Sequence, residues 1–433
     1  MSRLRGLVAS VPGGAAGRRL ALMALIDASG TGAFLAVSAI FFTRSVGLSV
    51  SQVGFGLALG AALALATAVP IGVLGDRYGP RRVLVVVSLW RAACFAAYPL
   101  VQDFGGFLLV VCLLGLVDKA AAPMEQALVG QAVALQDRVR TMAVMRAVRN
   151  VGFTIGALLG TLALGLDTRP AYIAIVLVNG ASFVGLATMA HGLPLLSGAV
   201  RLRRSISLRV LRDRPYLQLA ALNAILTMHM TLLSVGVPLW IAEHTHAPTV
   251  IVAPLLIVNT VLAVAFQVRA SRGSDTEAGA AASLRLGGLC LAICCLLLAL
   301  ASPAPAAAAV ALLVLSMVAL TGGELLQSAG GWGLSYQLAR DGEQTAYLSV
   351  FWLGVSIQQI MAPLVVAAVL VAGAGAWIAL GALLAFAGLA VPLSARRVTA
   401  ARAHEQVGAG PVATMTQAAG PARTFAPSHQ RTP

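Results

Sequence analysis

Between Leu20 and Phe42 the chain reads LALMALIDASGTGAFLAVSAIFF, a stretch with one acid and no other charge. A run of that length crosses the roughly 30 Å hydrocarbon core of a bilayer as one helix, at about 1.5 Å per residue. Runs like it recur twelve times, over about 20–42, 53–74, 83–101, 106–129, 149–166, 171–193, 216–241, 250–268, 284–301, 306–328, 345–371 and 375–394. In lipid a helix satisfies its own backbone hydrogen bonds, which is what a spanning segment needs. Strands of a membrane barrel would be ~10 residues long with strict alternation, and the sequence has no such pattern. Only 10% of residues are charged, against roughly 25% in an ordinary soluble domain. The expected fold class is therefore an all-α polytopic membrane protein with twelve transmembrane helices, and the lipid bilayer is its first partner.

A net charge of +15 raises the question of nucleic acid, and the arrangement of the charge answers it. Of the 30 basic side chains only Lys119 is a lysine, and 26 of the arginines fall in segments that alternate spans place on one side. Arg44 and Arg169 alone fall on the other. Basic loops stay cytoplasmic, so both termini are expected inside and no nucleic-acid partner is implied. The leading MSRLRGLVASVPGGAAGRR precedes a full-length span and reads as an uncleaved start rather than a signal peptide. Cys94, Cys112, Cys290, Cys294 and Cys295 all sit in apolar runs. They show neither metal-ligand spacing nor a disulfide framework, so no metal site is expected. The phosphate-cradling GxxxxGK[ST] pattern, HExxH and Asp-rich magnesium motifs do not occur. No enzyme, no ATP-driven machine and no cofactor is expected.

The longest inner connection, LLSGAVRLRRSISLRVLRDRP at 195–215, lies between spans 6 and 7. It divides the chain into a cytoplasmic N-terminus (1–19), a six-helix bundle (20–193), a cytoplasmic linker (194–215), a second six-helix bundle (216–394) and a disordered tail (395–433). The alternation of arginine with leucine and isoleucine in the linker suits an amphipathic segment on the inner leaflet or a plain linker. Sliding one half on the other pairs LQDRVRT (135–141) with ARDGEQT (339–345). It also pairs 76-DRYG-79 with 270-ASRG-273, which keeps the glycine and loses the acid, and sets Asp118 and Lys119 close to Glu324.

The segment Gly72-Val-Leu74-Gly-Asp76-Arg77-Tyr-Gly79-Pro-Arg81-Arg82-Val-Leu84 resembles the loop 2–3 signature of the major facilitator superfamily, G-x-L-a-D-r-x-G-r-k-x-x-l. Pro80 stands where a basic residue is common. The resemblance extends over about residues 15–395 through length, the six-plus-six division and cytoplasmic termini. It implies two pseudo-symmetric six-helix bundles, a monomer, and a secondary transporter of the inner (cytoplasmic) membrane that moves a small-molecule substrate by alternating access. In that family spans 1, 4, 7 and 10 line the cavity. The acid at position 76 docks on the N-terminus of span 11, here the turn from Gly342 to Tyr347, with Arg138 or Arg140 as partners and a gating role. Gly152, Gly156 and Gly160 partly match the span 5 motif of proton-driven exporters, with Ala157 in place of proline. The same spacing also suits generic close packing.

Ionisable groups inside a bilayer cost at least ~2.5 kcal/mol each, so those retained are candidates for function. Asp27, Asp118, Lys119 and His229 lie at mid-depth in cavity-lining spans, with Glu125 and Glu324 nearer inner ends. Asp27 suits a proton carrier or a structural ion pair with Arg91. Asp118 and Lys119 point about 100° apart on a helix, one to the cavity and the other to a neighbour. Glu324 suits a second proton carrier, the anchor of a cationic substrate, or a side chain that reaches water. His229 suits a titrating group or a packing residue. Gln358 and Gln359 are expected at the contact between halves. The function expected is proton-coupled efflux of drug-like or small organic compounds, with metabolite import by proton symport, or a transporter-like sensor, as alternatives.

Overall fold

The computed structural model describes residues 12–196 and 209–408. Among the described residues there is no strand, and twelve helices are long and apolar enough to cross a membrane. They are α1 (Gly14–Ser38), α2 (Ser51–Tyr78), α3 (Pro80–Leu100), α4 (Phe104–Ala132), α5 (Leu135–Leu166) and α6 (Arg169–His191), then α7 (Arg214–His244), α8 (Thr249–Ala270), α9 (Glu277–Ala301), α10 (Ala306–Gln337), α11 (Gln344–Ala372) and α12 (Ala374–Ala403). Local chemistry starts several of them. Ser49 accepts the Gln52 N–H before α2 and the Gln52 side chain returns to the Ser49 N–H, a reciprocal cap. Asp103, Asp213 and Thr276 accept first-turn N–H groups of α4, α7 and α9. Gly79 turns from α2 into α3 at φ +89°, a conformation that glycine adopts at little cost, and Pro80 opens α3 where a missing N–H costs nothing.

Two buried clusters belong mainly to α1–α6. An aromatic one at the far end joins Phe41, Phe42, Phe95, Tyr98, Phe107 and Phe183; a methionine-rich one near loop 2–3 includes Met23, Met124, Met142 and Met145. A third runs through α7–α12 and includes Tyr216, Trp240 and Trp377. Inside the first half α1 and α5 meet backbone to backbone. A side chain at Gly152, Gly156 or Gly160 would strike the main chain or Cβ atoms of α1 between Leu25 and Ala36, and one at Gly32 would strike the backbone of Phe153. In the second half α9 and α12 cross the same way at Gly288 and Gly388.

Several expected boundaries move. Helix α5 begins at Leu135, not at 149, so Arg146 and Arg149 belong to a spanning helix and not to a basic loop; the ion pairs described below make that burial tolerable. The final helix continues to Gly408, past the expected end of order at 394. The alanine-rich stretch after Ser394 favours helix, Ala395 and Val398 are buried in the core, and Thr399 and Arg402 bond Glu277 and the Leu338 carbonyl. The expected linker and tail otherwise fall largely outside the described residues, apart from a short helical turn at Arg209–Arg212. Two spans are broken. Helix α4 pauses at Lys119–Ala120, and α7 is interrupted after Leu226 and again by a wide turn at Leu232–Gly236.

Among the described residues, the hydrogen bonds that join the two halves lie between mid-depth and the loop 2–3 end. The Gln126 amide donates to Ser335 Oγ (2.7 Å), its carbonyl oxygen accepts from Trp352 Nε1 (2.8 Å), and its backbone carbonyl accepts from Tyr336 OH (2.5 Å). Asp76 accepts from the backbone N–H groups of Thr345 (2.6 Å) and Ala346 (2.8 Å).

Candidate functional site

Above that floor lies a cavity of about 360 Å³ between the halves. Helices α4 and α5 line one side, α7, α10 and α11 the other. Phe153, Trp332, Phe351 and Trp352 with Met142, Met145 and Met230 make much of its wall apolar, and Glu125, Arg146, Arg149 and His229 bring the charge. Arg146 and Arg149 lie three positions apart on α5, hence on one helical face.

Two ion-pair clusters hold these arginines. Arg149 bonds Asp27 of α1 (3.1 Å) and Glu125 of α4 (2.7 Å), and Arg91 of α3 reaches the other oxygen of Asp27 at 3.9 Å while lying over the Phe183 ring. This cluster is confined to the first half. Arg146 crosses to the second half, where it bonds Glu324 (2.5 Å) and Ser328 of α10. The other oxygen of Glu324 accepts from Asn259 of α8 (3.0 Å). His229 sits within electrostatic reach of Glu324 and Arg146. Its Nδ1 bonds the Leu226 carbonyl (3.0 Å), which places the proton there and leaves the buried Nε2 an acceptor without a protein partner. Burying a charge is costly unless it is paired and hydrogen-bonded, and each of these carboxylates meets that condition.

The structure brings some of the sequence candidates together and leaves others apart. Asp27, Arg91, Glu324 and His229 are brought to the cavity and its supporting shell. Asp118 and Lys119 are not: they pair with each other (3.5 Å) at the break in α4, half exposed, and neither lines the cavity. The interruption of the helix at Lys119 removes the diverging geometry that a continuous helix implied. Glu324 neither reaches water nor stands free for a cation, because Arg146 and Asn259 occupy it. Gln358 bonds Thr227 within its own half (3.4 Å) and Gln359 lines the cavity, so neither carries the contact between halves; Gln126 does. The sequence reading missed Arg146 and Arg149. The signal was present in their spacing of three on the same face as Met142 and Met145.

The loop 2–3 residues surround the α11 contact. A side chain at Gly72 would meet Ser349 and Ala346, so the glycine lets α2 and α11 touch. Arg77 stacks over Tyr78, Arg81 donates to the Leu193 carbonyl (3.3 Å), and Arg82 is exposed. Arg138 does not pair with Asp76. It bonds the carbonyls of Gly130 and Val133 and lies near the Tyr336 ring. Arg140 faces Asp275 of the α8–α9 loop, as does the Val139 N–H. The second half therefore does carry an acid opposite a helix start, two residues after Gly273 instead of three before it, where a register-by-register alignment does not look. Burial pushes the Asp275 carboxyl above the usual aspartate range, and Arg140 opposes that shift.

The sequence model of the Major Facilitator Superfamily matches residues 20–363. Over 133 residues the chain is 24% identical to the "Uncharacterized MFS-type transporter YdeE" of Escherichia coli strain K12, a match covering 31% of this chain and about a third (34%) of that relative. Among solved structures, the human organic anion transporter MFSD10 (TETRAN) superposes with a TM-score of 0.65 at 17% identity, covering 87% of this chain and 98% of that one. A bacterial homologue of the iron transporter ferroportin in its outward-facing state gives 0.67 at 15%, covering 89% and 99%. The proton:xylose symporter XylE gives 0.61 at 12%, covering 87% and 94%. These structural likenesses show the fold alone.

Proposed function

The chain belongs to the Major Facilitator Superfamily and is a multi-pass membrane transporter, and from that premise we propose that it exports small, largely apolar organic compounds across the cytoplasmic membrane in exchange for protons. The observation that carries the proposal is the cavity: aromatic and methionine walls around carboxylates that arginines neutralise. Methionine and aromatic surfaces adapt to varied apolar bodies, and a carboxylate held by an arginine can take a proton when the arginine is drawn away. In this reading both termini are cytoplasmic, so the loop 2–3 end, where the halves are bonded together, faces the cytoplasm.

Of the two clusters, the Arg146–Glu324 bridge fits proton coupling better. It spans the halves, so a rocking motion must break it, whereas Asp27, Arg149 and Glu125 move together. Glu324 with His229 is the proton site in this reading, and Asp27 is the buried anchor of Arg149 and Arg91. The test is transport of an aromatic cation, ethidium, and an aromatic anion, fluorescein, in everted vesicles holding a proton gradient. Export by exchange predicts that a transported dye dissipates the gradient, that Glu324→Gln abolishes the effect, and that Asp27→Asn keeps it at a reduced protein yield. Full coupling in Glu324→Gln would remove Glu324 as the carrier.

A second reading rests on Arg146 and Arg149, whose guanidinium groups line the cavity and suit an anionic metabolite taken up with a proton. In that case fluorescein, and not ethidium, would move in proteoliposomes down an inward proton gradient.

A further inference from the structure

At the loop 2–3 end of the second half, α9 and α12 enclose a groove of about 360 Å³, separate from the central cavity. The helices touch at Gly288 and Gly388, where a Cβ on either would meet the other backbone. Toward the chain ends they separate, and Thr399 Oγ1 rejoins them by donating to Glu277 (3.0 Å). Between these ties the floor is Ala278, Ala281, Ala282 and Ala395, side chains too short to fill the gap. Arg285 and Arg396 flank it, both exposed, and among the described residues no carboxylate pairs with either. Toward the membrane middle the same two helices present Leu286, Ile293, Phe386, Leu389 and Leu393 to the outside.

We propose that this groove binds the headgroup of a membrane phospholipid, the phosphate diester on Arg285 and Arg396 and an ethanolamine ammonium on the Glu277 carboxylate. Two guanidinium groups match a phosphate's acceptors, and one carboxylate beside them matches the positive end of a zwitterion. The exposed leucine and phenylalanine side chains continue the groove along the acyl chains, which a soluble phosphate ester lacks.

The test uses the full chain, delipidated in detergent, with melting followed as lipid is added. Phosphatidylethanolamine is expected to raise the melting temperature, and diacylglycerol, which lacks the phosphate, is expected not to. The double variant Arg285→Ala/Arg396→Ala should lose more than half of the shift, while Arg397→Ala, an exposed neighbour outside the groove, should keep it. Two outcomes would overturn the assignment. One is an equal shift in the double variant. The other is a full shift with glycerophosphoethanolamine alone, which would make the groove a site for soluble phosphate esters.

Discussion

Asp275 shows how one misplaced acid changes a local reading. Burial raises its carboxyl above the ordinary value near 3.9, so the docked state holds a proton more readily than the undocked state, where the group meets water. The cost of docking the charged form is present above the raised value and fades as pH falls through it toward 3.9. Protection of the first turn of α5, around Val139 and Arg140, should therefore increase on acidification from neutrality once intrinsic exchange is corrected. Asp275→Asn should flatten that dependence; a variant with the wild-type slope would assign it to another group. Asp27, Glu324 and His229 were legible in the sequence because each interrupts an apolar run, where an ionisable group is conspicuous. Arg146 and Arg149 were not, because arginines at a helix start read as a cytoplasmic loop. Only the carboxylates contributed by α1, α4 and α10 explain why these two are drawn inside, and those partners are distant in sequence.

At the level of the element, the spacing-four glycines of α5 give the more secure reading: they are the contact surface for α1. The backbone of α1 lies where a Cβ at Gly156 would stand, and a main chain cannot rotate away as a side chain can. Gly156→Val should cost at least the ~1–3 kcal/mol typical of overpacking, seen as a lower melting temperature and poor expression. Gly165, on the same helix with nothing within 4 Å of its would-be Cβ, supplies the contrast. Gly165→Ala should be neutral or stabilise by up to ~1 kcal/mol, the usual helix-interior difference. Equal losses at both positions would mean that close packing is not what the spacing encodes. The number and order of spans were readable from hydropathy alone. The break in α4 and the second break in α7 carry a signal that hydropathy does not read. Pro123 has no N–H for the Lys119 carbonyl and Pro238 none for that of Ser234, and the turn at Lys119 reversed the expected geometry of Asp118.

Across the whole molecule, closure at the loop 2–3 end depends on a handful of bonds. Asp76 caps the first turn of α11 from the other half, a contribution of about 0.5–2 kcal/mol by the measure of helix caps. Asp76→Ala should shift the balance toward opening by a factor of about 2–30, read as faster hydrogen exchange at Thr345 and Ala346 in a protein that still melts cooperatively. Unchanged exchange there would deprive Asp76 of its latching role. The one-sidedness of these bonds reaches beyond the protein. Halves tied toward one end would, on parting at the other, take up more area in that leaflet than in the one at the tied end. If transport alternates which end is closed, as in the function proposed above, curvature stress of the surrounding lipid would act on the balance between the two states.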